Sequence, residues 1–282
     1  MDPEQQEQFC FSLLEDELHA NFAKNPFVEE KQFTNLFQEL NLYCEPYTGR
    51  EDNKPLVVMG ETGIGKSAAI AHWASVRRVG NSSLTRNRLD PAEVVFYHAI
   101  GCSRLSTQVV QLLRRLVNSI ISHFQIKDVM NLADEKLPWI LPRLLEKASK
   151  KGRLIICIDG LHHICSNDKD YGLLWLPTHL PSGVKIIVSA TTPIIITPTD
   201  SDQPISDHSK RFQVKIQQTW NEINRRKYTQ VTLECMKITS VANYIDKYLS
   251  LDTNCPQQLL VDMKLQVIET IGSNPLATNQ QF

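Results

Sequence analysis

The chain has 282 residues, 42% hydrophobic and 22% charged, which suits one large domain with an appended subdomain and excludes a disordered polymer. A formal net charge of −1 gives no basic footprint for nucleic acid, and no apolar run reaches the ~18–20 residues needed to span a bilayer. Seven scattered cysteines, and an acidic N-terminus without the basic and apolar blocks of a secretory signal, point to a reducing, cytoplasmic setting with neither membrane nor nucleic-acid partners.

Residues 1–50 read as a helical N-terminal segment. A weakly amphipathic stretch over 1–24 carries Phe9, Leu13, Leu14 and Leu18 on one side. Phe33, Leu36, Phe37 and Leu40 then follow the i, i+3, i+4, i+7 spacing of a buried helical stripe. The turn-rich stretch Tyr47–Asn53 separates this segment from the core, 51–235. Pro55–Met59 (PLVVM) predicts a strand ending in a glycine-rich turn, and the residues after the turn predict a helix. Val94–Ile100 predicts a second strand and Val109–Phe124 a helix. Leu154–Ile158 (LIICI) is a continuous apolar run typical of a strand buried on both faces, Val184–Val188 predicts a fourth strand, and Val231–Leu233 a fifth. Residues 193–213, rich in Pro, Ser, Thr and Asp, read as a long surface insertion. Residues 236–282 read as a small helical lid, with helices over Ile238–Leu251 and Gln257–Ile271. Strands alternating with helices predict a three-layer α/β fold around a parallel sheet.

Gly60-Glu61-Thr62-Gly63-Ile64-Gly65-Lys66-Ser67 fits G-x-x-x-x-G-K-[ST], between a strand and a helix as this phosphate-binding loop (Walker A) requires. Its glycines let backbone N–H groups point at phosphates, and the helix that follows adds its positive dipole end. Lys66 is expected to reach the β/γ-phosphates of ATP or GTP, and the Ser67 hydroxyl to ligate Mg²⁺. Asp159, ending LIICIDG, is expected to hold the same Mg²⁺ through water. Another strand, VVFYHAI, falls between the two motifs in sequence. That order favours the additional-strand class of P-loop NTPases over the kinase-like class.

With those motifs in place the chain resembles the NACHT-type STAND NTPases, particularly the nephrocystin-like members that carry tetratricopeptide repeats. Further stretches carry the likeness: Asn25–Leu40 before the loop, LLWLPTHLPSGVKIIVS ending at Ser189, Thr219–Leu251, and Gly272-Ser273-Asn274-Pro275-Leu276. The resemblance covers about 25–276. It implies that Pro275 packs near the nucleotide base, that lid closure switches the binding of a protein partner, and that a winged helix and repeats follow the lid. This sequence stops at Gln281-Phe282, as a fragment, short isoform or truncated relative would. It is therefore expected to form no large nucleotide-driven assembly alone.

The departures bear on catalysis. The family pattern D-[GA]-x-D-[EQ] implies two further acids, yet the sequence reads Asp159-Gly160-Leu161-His162-His163. Neutral imidazole accepts a proton but lacks the carboxylate's charge beside Mg²⁺ and phosphates, so hydrolysis is expected to be weak or absent. Asp168 and Asp170, in a following loop, are disfavoured as substitutes for these acids. Ser189-Ala190-Thr191-Thr192 offers no arginine where many STAND proteins carry a phosphate sensor. Cys157, His162, His163 and Cys165 form a cluster with zinc-ligand chemistry, set against Cys157 being a small hydrophobe inside a strand. Trp73, Trp139, Trp175 and Trp220 read as core or lid packing. Arg77-Arg78, Arg114-Arg115, Lys147–Arg153 and Arg225-Arg226-Lys227 read as solvated basic faces, with Arg225 or Arg226 a candidate to act on a neighbour's nucleotide. The readings carried forward are a nucleotide-dependent switch, a non-hydrolysing scaffold of the same fold, and a small-molecule kinase. The kinase is disfavoured by the scarcity of arginine in 236–271.

Overall fold

The computed structural model describes residues 31–45, 53–82, 93–127, 133–164, 173–193 and 207–235. The predicted helix at 1–24, the turn at 47–52, Cys165, Asp168, Asp170 and the lid with Pro275 lie outside them. The elements in chain order are α1 (Lys31–Cys44), β1 (Leu56–Gly60), α2 (Lys66–Ser82), β2 (Glu93–Ala99), α3 (Val109–Phe124), α4 (Leu137–Ser149), β3 (Arg153–Asp159), β4 (Val184–Thr191), α5 (Asp207–Arg226) and β5 (Thr229–Thr232). A 3-10 turn, Leu161–His163, follows β3.

The strands form a five-stranded sheet in the order β2-β3-β4-β1-β5, and every pairing is parallel. β4 lies between β1, which feeds the glycine-rich loop, and β3, which ends at Asp159. This is the additional-strand arrangement of a P-loop NTPase.

Period-two alternation places side chains of β1, β3 and β4 in a core on each face of the sheet, while the edge strand β5 is only partly buried. Leu154, Ile156 and Ile158 enter one core with Val57, Met59, Val184, Ile186 and Val188, covered by α3, α4 and α5. Ile155 and Cys157 enter the opposite core with Leu56, Val58 and Ile187, covered by α1 and α2. Cys157 is thus an interior packing residue, and burial pushes its thiol pKa far up. The predicted stripe on α1 holds, because Phe33, Leu36 and Leu40 are buried against Ala69, Ile70 and Trp73 of α2.

Three expectations are corrected. The stretch read as a surface insertion over 193–213 already contains the start of α5, since Asp207 opens a helix whose buried residues Ile216 and Ile223 lie further on. Trp139 is 83% exposed on α4, because Leu137, Leu141, Leu144 and Leu145 form that helix's buried face and Trp139 falls outside the stripe. Several arginines read as solvated faces are anchored instead. Arg115 is buried, donating to the Tyr97 carbonyl at 2.8 Å with its guanidinium over the Phe96 ring. Arg226 is fixed by Glu222 at 2.6 Å and by the Leu176 carbonyl at 2.8 Å.

Candidate functional site

Parallel pairing places the carboxyl ends of β1, β3 and β4 side by side, where ligands of open α/β sheets bind. Gly60 pairs with Thr191, and Ile158 with Val188, so the residues after each strand converge at one edge. The loop over Gly60–Ser67 leaves β1 there and enters the 17-residue helix α2 at Lys66.

The backbone of the loop needs its glycines. Gly63 and Gly65 have φ of +86° and +95°, the left-handed region that side chains rarely adopt. A Cβ on Gly65 would meet Phe33 of α1 at 3.1 Å, so the helix preceding β1 buttresses the loop directly. A Cβ on Gly60 would collide with Ile64 Cδ1 and meet the Leu233 carbonyl at 2.9 Å, which makes the first glycine a close-approach position.

Lys66 is buried, and its ammonium donates to the Gly60 carbonyl at 2.8 Å and the Glu61 carbonyl at 2.5 Å. Burial lowers its pKa from the usual lysine value, opposed by the negative charges of Asp159 and Glu61. Glu61, Thr62 and Ser67 are exposed around it, and Ile64 is half-buried. Exposed Cys235, just past β5, donates to Glu61 Oε2 at 3.6 Å.

Asp159 is buried and accepts a short hydrogen bond from the Ser189 hydroxyl. That hydroxyl in turn accepts the Gly160 N–H at 2.8 Å. Ser189 therefore fixes the Asp159 carboxylate from the intervening strand. Two positions on, Thr191 Oγ1 lies 3.3 Å from His162 Nε2. His162 is buried with its Nδ1 enclosed, and burial, the adjacent His163 and Lys66 push its pKa down to about 3. His163 is exposed. Burial of its inner face lowers its pKa, Asp159 opposes, and Lys215 and Lys66 add to the lowering. The two rings stand 4.1 Å apart, and Phe212 of α5 packs against both at 5.5 and 5.6 Å.

Lys66, Asp159, His162 and His163, singled out from the sequence, lie near one another at this edge of the sheet. Sequence reasoning missed Ser189 and Thr191 as anchors, Phe33 as a buttress and Phe212 as an aromatic wall. For the first two a signal existed, since a hydroxyl at every second position of a buried strand (Ser189, Thr191) marks an unusual polar edge. Among the described residues, no group of three or more His, Cys, Asp and Glu side chains has metal-site geometry.

The donor set suits a nucleoside triphosphate with Mg²⁺. The loop combines left-handed glycines with the N-terminus of a long helix and a buried cation. An exposed hydroxyl and an oriented carboxylate flank them, giving oxygen ligands of the hard kind Mg²⁺ prefers.

Sequence comparison with known proteins finds distant relatives of part of this chain. Residues of this chain are 28% identical over 164 positions to human nephrocystin-3, covering 57% of the chain and 11% of that protein. A TPR repeat-containing protein of Dictyostelium discoideum is 25% identical over 177 residues, 49% of this chain and 10% of its own length. Human NACHT and WD repeat domain-containing protein 2 is 26% identical over 141 residues, 48% of this chain and 8% of its own. The chain thus spans about a tenth of the length of these relatives. No family model matches it. Among solved structures, the ORC2 protein of Aeropyrum pernix, in ADPNP–ADP complexes, aligns with a TM-score of 0.46 at 11% identity, covering 82% of this chain and 55% of that one. AMPPCP-bound DnaA of Aquifex aeolicus aligns with a TM-score of 0.38 at 11% identity, covering 87% and 62%. The sequence relatives include the nephrocystin and NACHT proteins that the motifs resemble.

Proposed function

We propose that the chain binds a nucleoside triphosphate, ATP or GTP, with Mg²⁺, and acts as a NACHT-like cytoplasmic signalling switch or scaffold. One observation carries the reading: Lys66 lies buried on a glycine loop whose φ angles suit phosphate cradling, with Asp159 oriented one strand away. Backbone N–H groups of Glu61–Ser67 and the Lys66 ammonium would hold the phosphates, while Ser67 and Asp159 would hold Mg²⁺. The metal, when bound, neutralises phosphate charge. The residues of the chain bind and orient, and Ser189 keeps the carboxylate aimed.

Hydrolysis on this reading is weak or absent, because His162 is buried and uncharged where the resemblance implies an acid. A permanently bound structural nucleotide in a non-hydrolysing scaffold is the second reading, favoured by that same buried, uncharged His162. Titration of labelled ATP and GTP against the purified chain, with and without Mg²⁺, tests binding. Affinity that ignores Mg²⁺, or no binding of either nucleotide, contradicts it. Phosphate release measured alongside separates a slow switch from a scaffold.

A further inference from the structure

We propose that the acidic stretch Glu15-Asp16-Glu17 of the chain's own N-terminal segment docks on a row of lysines at the amino-terminal edge of the sheet, the edge opposite the phosphate loop.

The register builds the row. Leu56 of β1 is level with Ile187 of β4 on one side and with Thr229 of β5 on the other. Two residues earlier, the same alignment brings Lys54 between Lys185 and Lys227, on chain paths about 4.8 Å apart. Side-chain contacts agree. Lys54 Nζ donates to the Lys227 carbonyl at 3.4 Å. Tyr43, at the end of α1, joins the other two: its hydroxyl donates to the Lys54 carbonyl at 2.8 Å, and the Lys185 ammonium stands 4.7 Å from the centre of its ring. Ile187 packs under α1, and period two puts Lys185 on that same face.

The edge is positive. Lys227 is exposed, and neither it nor Lys54 forms an ion pair with a described residue. Beside them Glu93 meets both Arg77 and Arg153, and Arg153 donates to the Cys44 carbonyl that ends α1, so this cluster keeps one positive charge in excess. Exposed Glu45 follows α1 there. The linker 46–52, with Arg50, Glu51 and Asp52, lies outside the described residues.

The counter-charge is in the chain itself. Residues 1–30, also outside the described residues, hold eight of the 31 Asp and Glu but one of the 30 Lys and Arg, which leaves 23 acids against 29 bases in 31–282. A net charge near zero thus hides two parts of opposite sign. The reach suffices. From Phe33 beside Gly65 to Tyr43, α1 crosses the sheet, and its 14 residues span about 21 Å. Residues 18–30 cover about 43 Å extended and about 20 Å even as a helix. Such a tether holds the acids at a local concentration on the order of millimolar, where individually weak surface pairs suffice; a free acidic peptide lacks that advantage.

The experiment treats the full 282-residue chain with a water-soluble carbodiimide, which joins carboxylates to ammonium groups in contact, and maps links in the monomer fraction by mass spectrometry. Lys54, Lys185 and Lys227 should link to residues 15–17, and the yield should fall at least ~5-fold between ~0.05 and ~1 M salt, as exposed pairs are screened. Lys54→Glu with Lys227→Glu leaves Lys185 reactive, and its link to Asp16 should drop at least ~5-fold, the scale of a few exposed pairs. Adding Glu15→Lys and Glu17→Lys to that variant should restore the link. The wild-type arm stands without any variant: absence of these links, or a yield indifferent to salt, overturns the proposal. Links found only in dimers overturn it too, by assigning the edge to a second copy. Wild type that leaves residues 15–17 unlinked yet retains a labelled oligonucleotide would make the edge a nucleic-acid surface instead.

Discussion

The Lys66 ammonium sits within hydrogen-bond distance of two loop carbonyls, Gly60 and Glu61, so removing it empties the loop of its cation without disturbing the apolar core. Lys66→Ala should lose a charge-assisted phosphate contact worth about 1.5–3 kcal/mol and weaken triphosphate affinity at least ~10-fold. Identical titrations for the two proteins would count against the site. A second residue, His98, predicts an acid response. It is buried, its Nε2 donates to the Ser106 carbonyl at 3.1 Å, and its Nδ1 lies 3.2 Å from the Arg115 guanidinium. Burial first and Arg115 second push its pKa down to about 4. The unfolded chain protonates this residue below ~6.5 whereas the folded chain resists until about 4. Its contribution to stability is therefore complete above pH ~6.5 and is lost as pH falls toward about 4. Urea midpoints between pH 7.5 and 4.5 should fall more steeply for wild type than for His98→Gln, and parallel profiles would refute the assignment. These two residues also mark the reach of sequence reading. Lys66 was legible because phosphate chemistry fixes residue types at fixed spacing. The His98–Arg115 pair was not, because it joins a strand to a helix through tertiary packing, and Arg115 beside Arg114 reads as an ordinary basic run.

Helices and strands were legible where burial imposes a period. The α3 stripe of Leu112, Leu113, Leu116 and Ile120 repeats at helical spacing, and the short apolar run LIICI is typical of a strand buried on both faces. The start of α5 was hidden because its first turns carry Asp207, Ser209, Lys210 and Arg211, with no apolar stripe to betray them, yet Phe212 comes from those turns. How elements hold one another was equally illegible. Glu93, at the start of β2, has its carboxylate 4% exposed between Arg77 of α2 at 2.8 Å and Arg153 of β3 at 3.1 Å. Arg153 also donates to the Cys44 carbonyl at the end of α1, so one carboxylate ties four elements together. Removing it leaves two cations facing each other in a partly dry site. Glu93→Ala should cost about 2–3 kcal/mol, below the ~3–5 of a fully buried pair because both arginines keep some solvent contact. Chemical denaturation checks this, and a loss under ~0.5 kcal/mol, the scale of an ordinary surface substitution, would show the network to be ornamental.

At the scale of the molecule, the chain leaves its sheet beside the phosphate loop. The Leu233 N–H donates to the Met59 carbonyl at 2.8 Å, the Leu233 carbonyl closes on Gly60, and Cys235 reaches Glu61. Cys235, the last of the described residues, thus stands at the same edge where Phe33 buttresses Gly65. We propose, from the likeness of Gly272–Leu276 to the family's lid motif, that Pro275 contacts the base rather than the phosphates. On the same proposal, phosphate contacts come from Gly60–Ser67, within 51–235. Deleting residues 236–282 should therefore weaken ATP binding far more than binding of inorganic triphosphate, since the second ligand has no base to lose. Competition titrations of both ligands against the full and shortened chains decide the matter, with thermal unfolding of the shortened chain as a check that the sheet survives. A selective loss for ATP supports base recognition by the deleted segment. An equal loss for both would mean that this segment acts through the loop itself, bracing Glu61 and Gly60 from the Cys235 side.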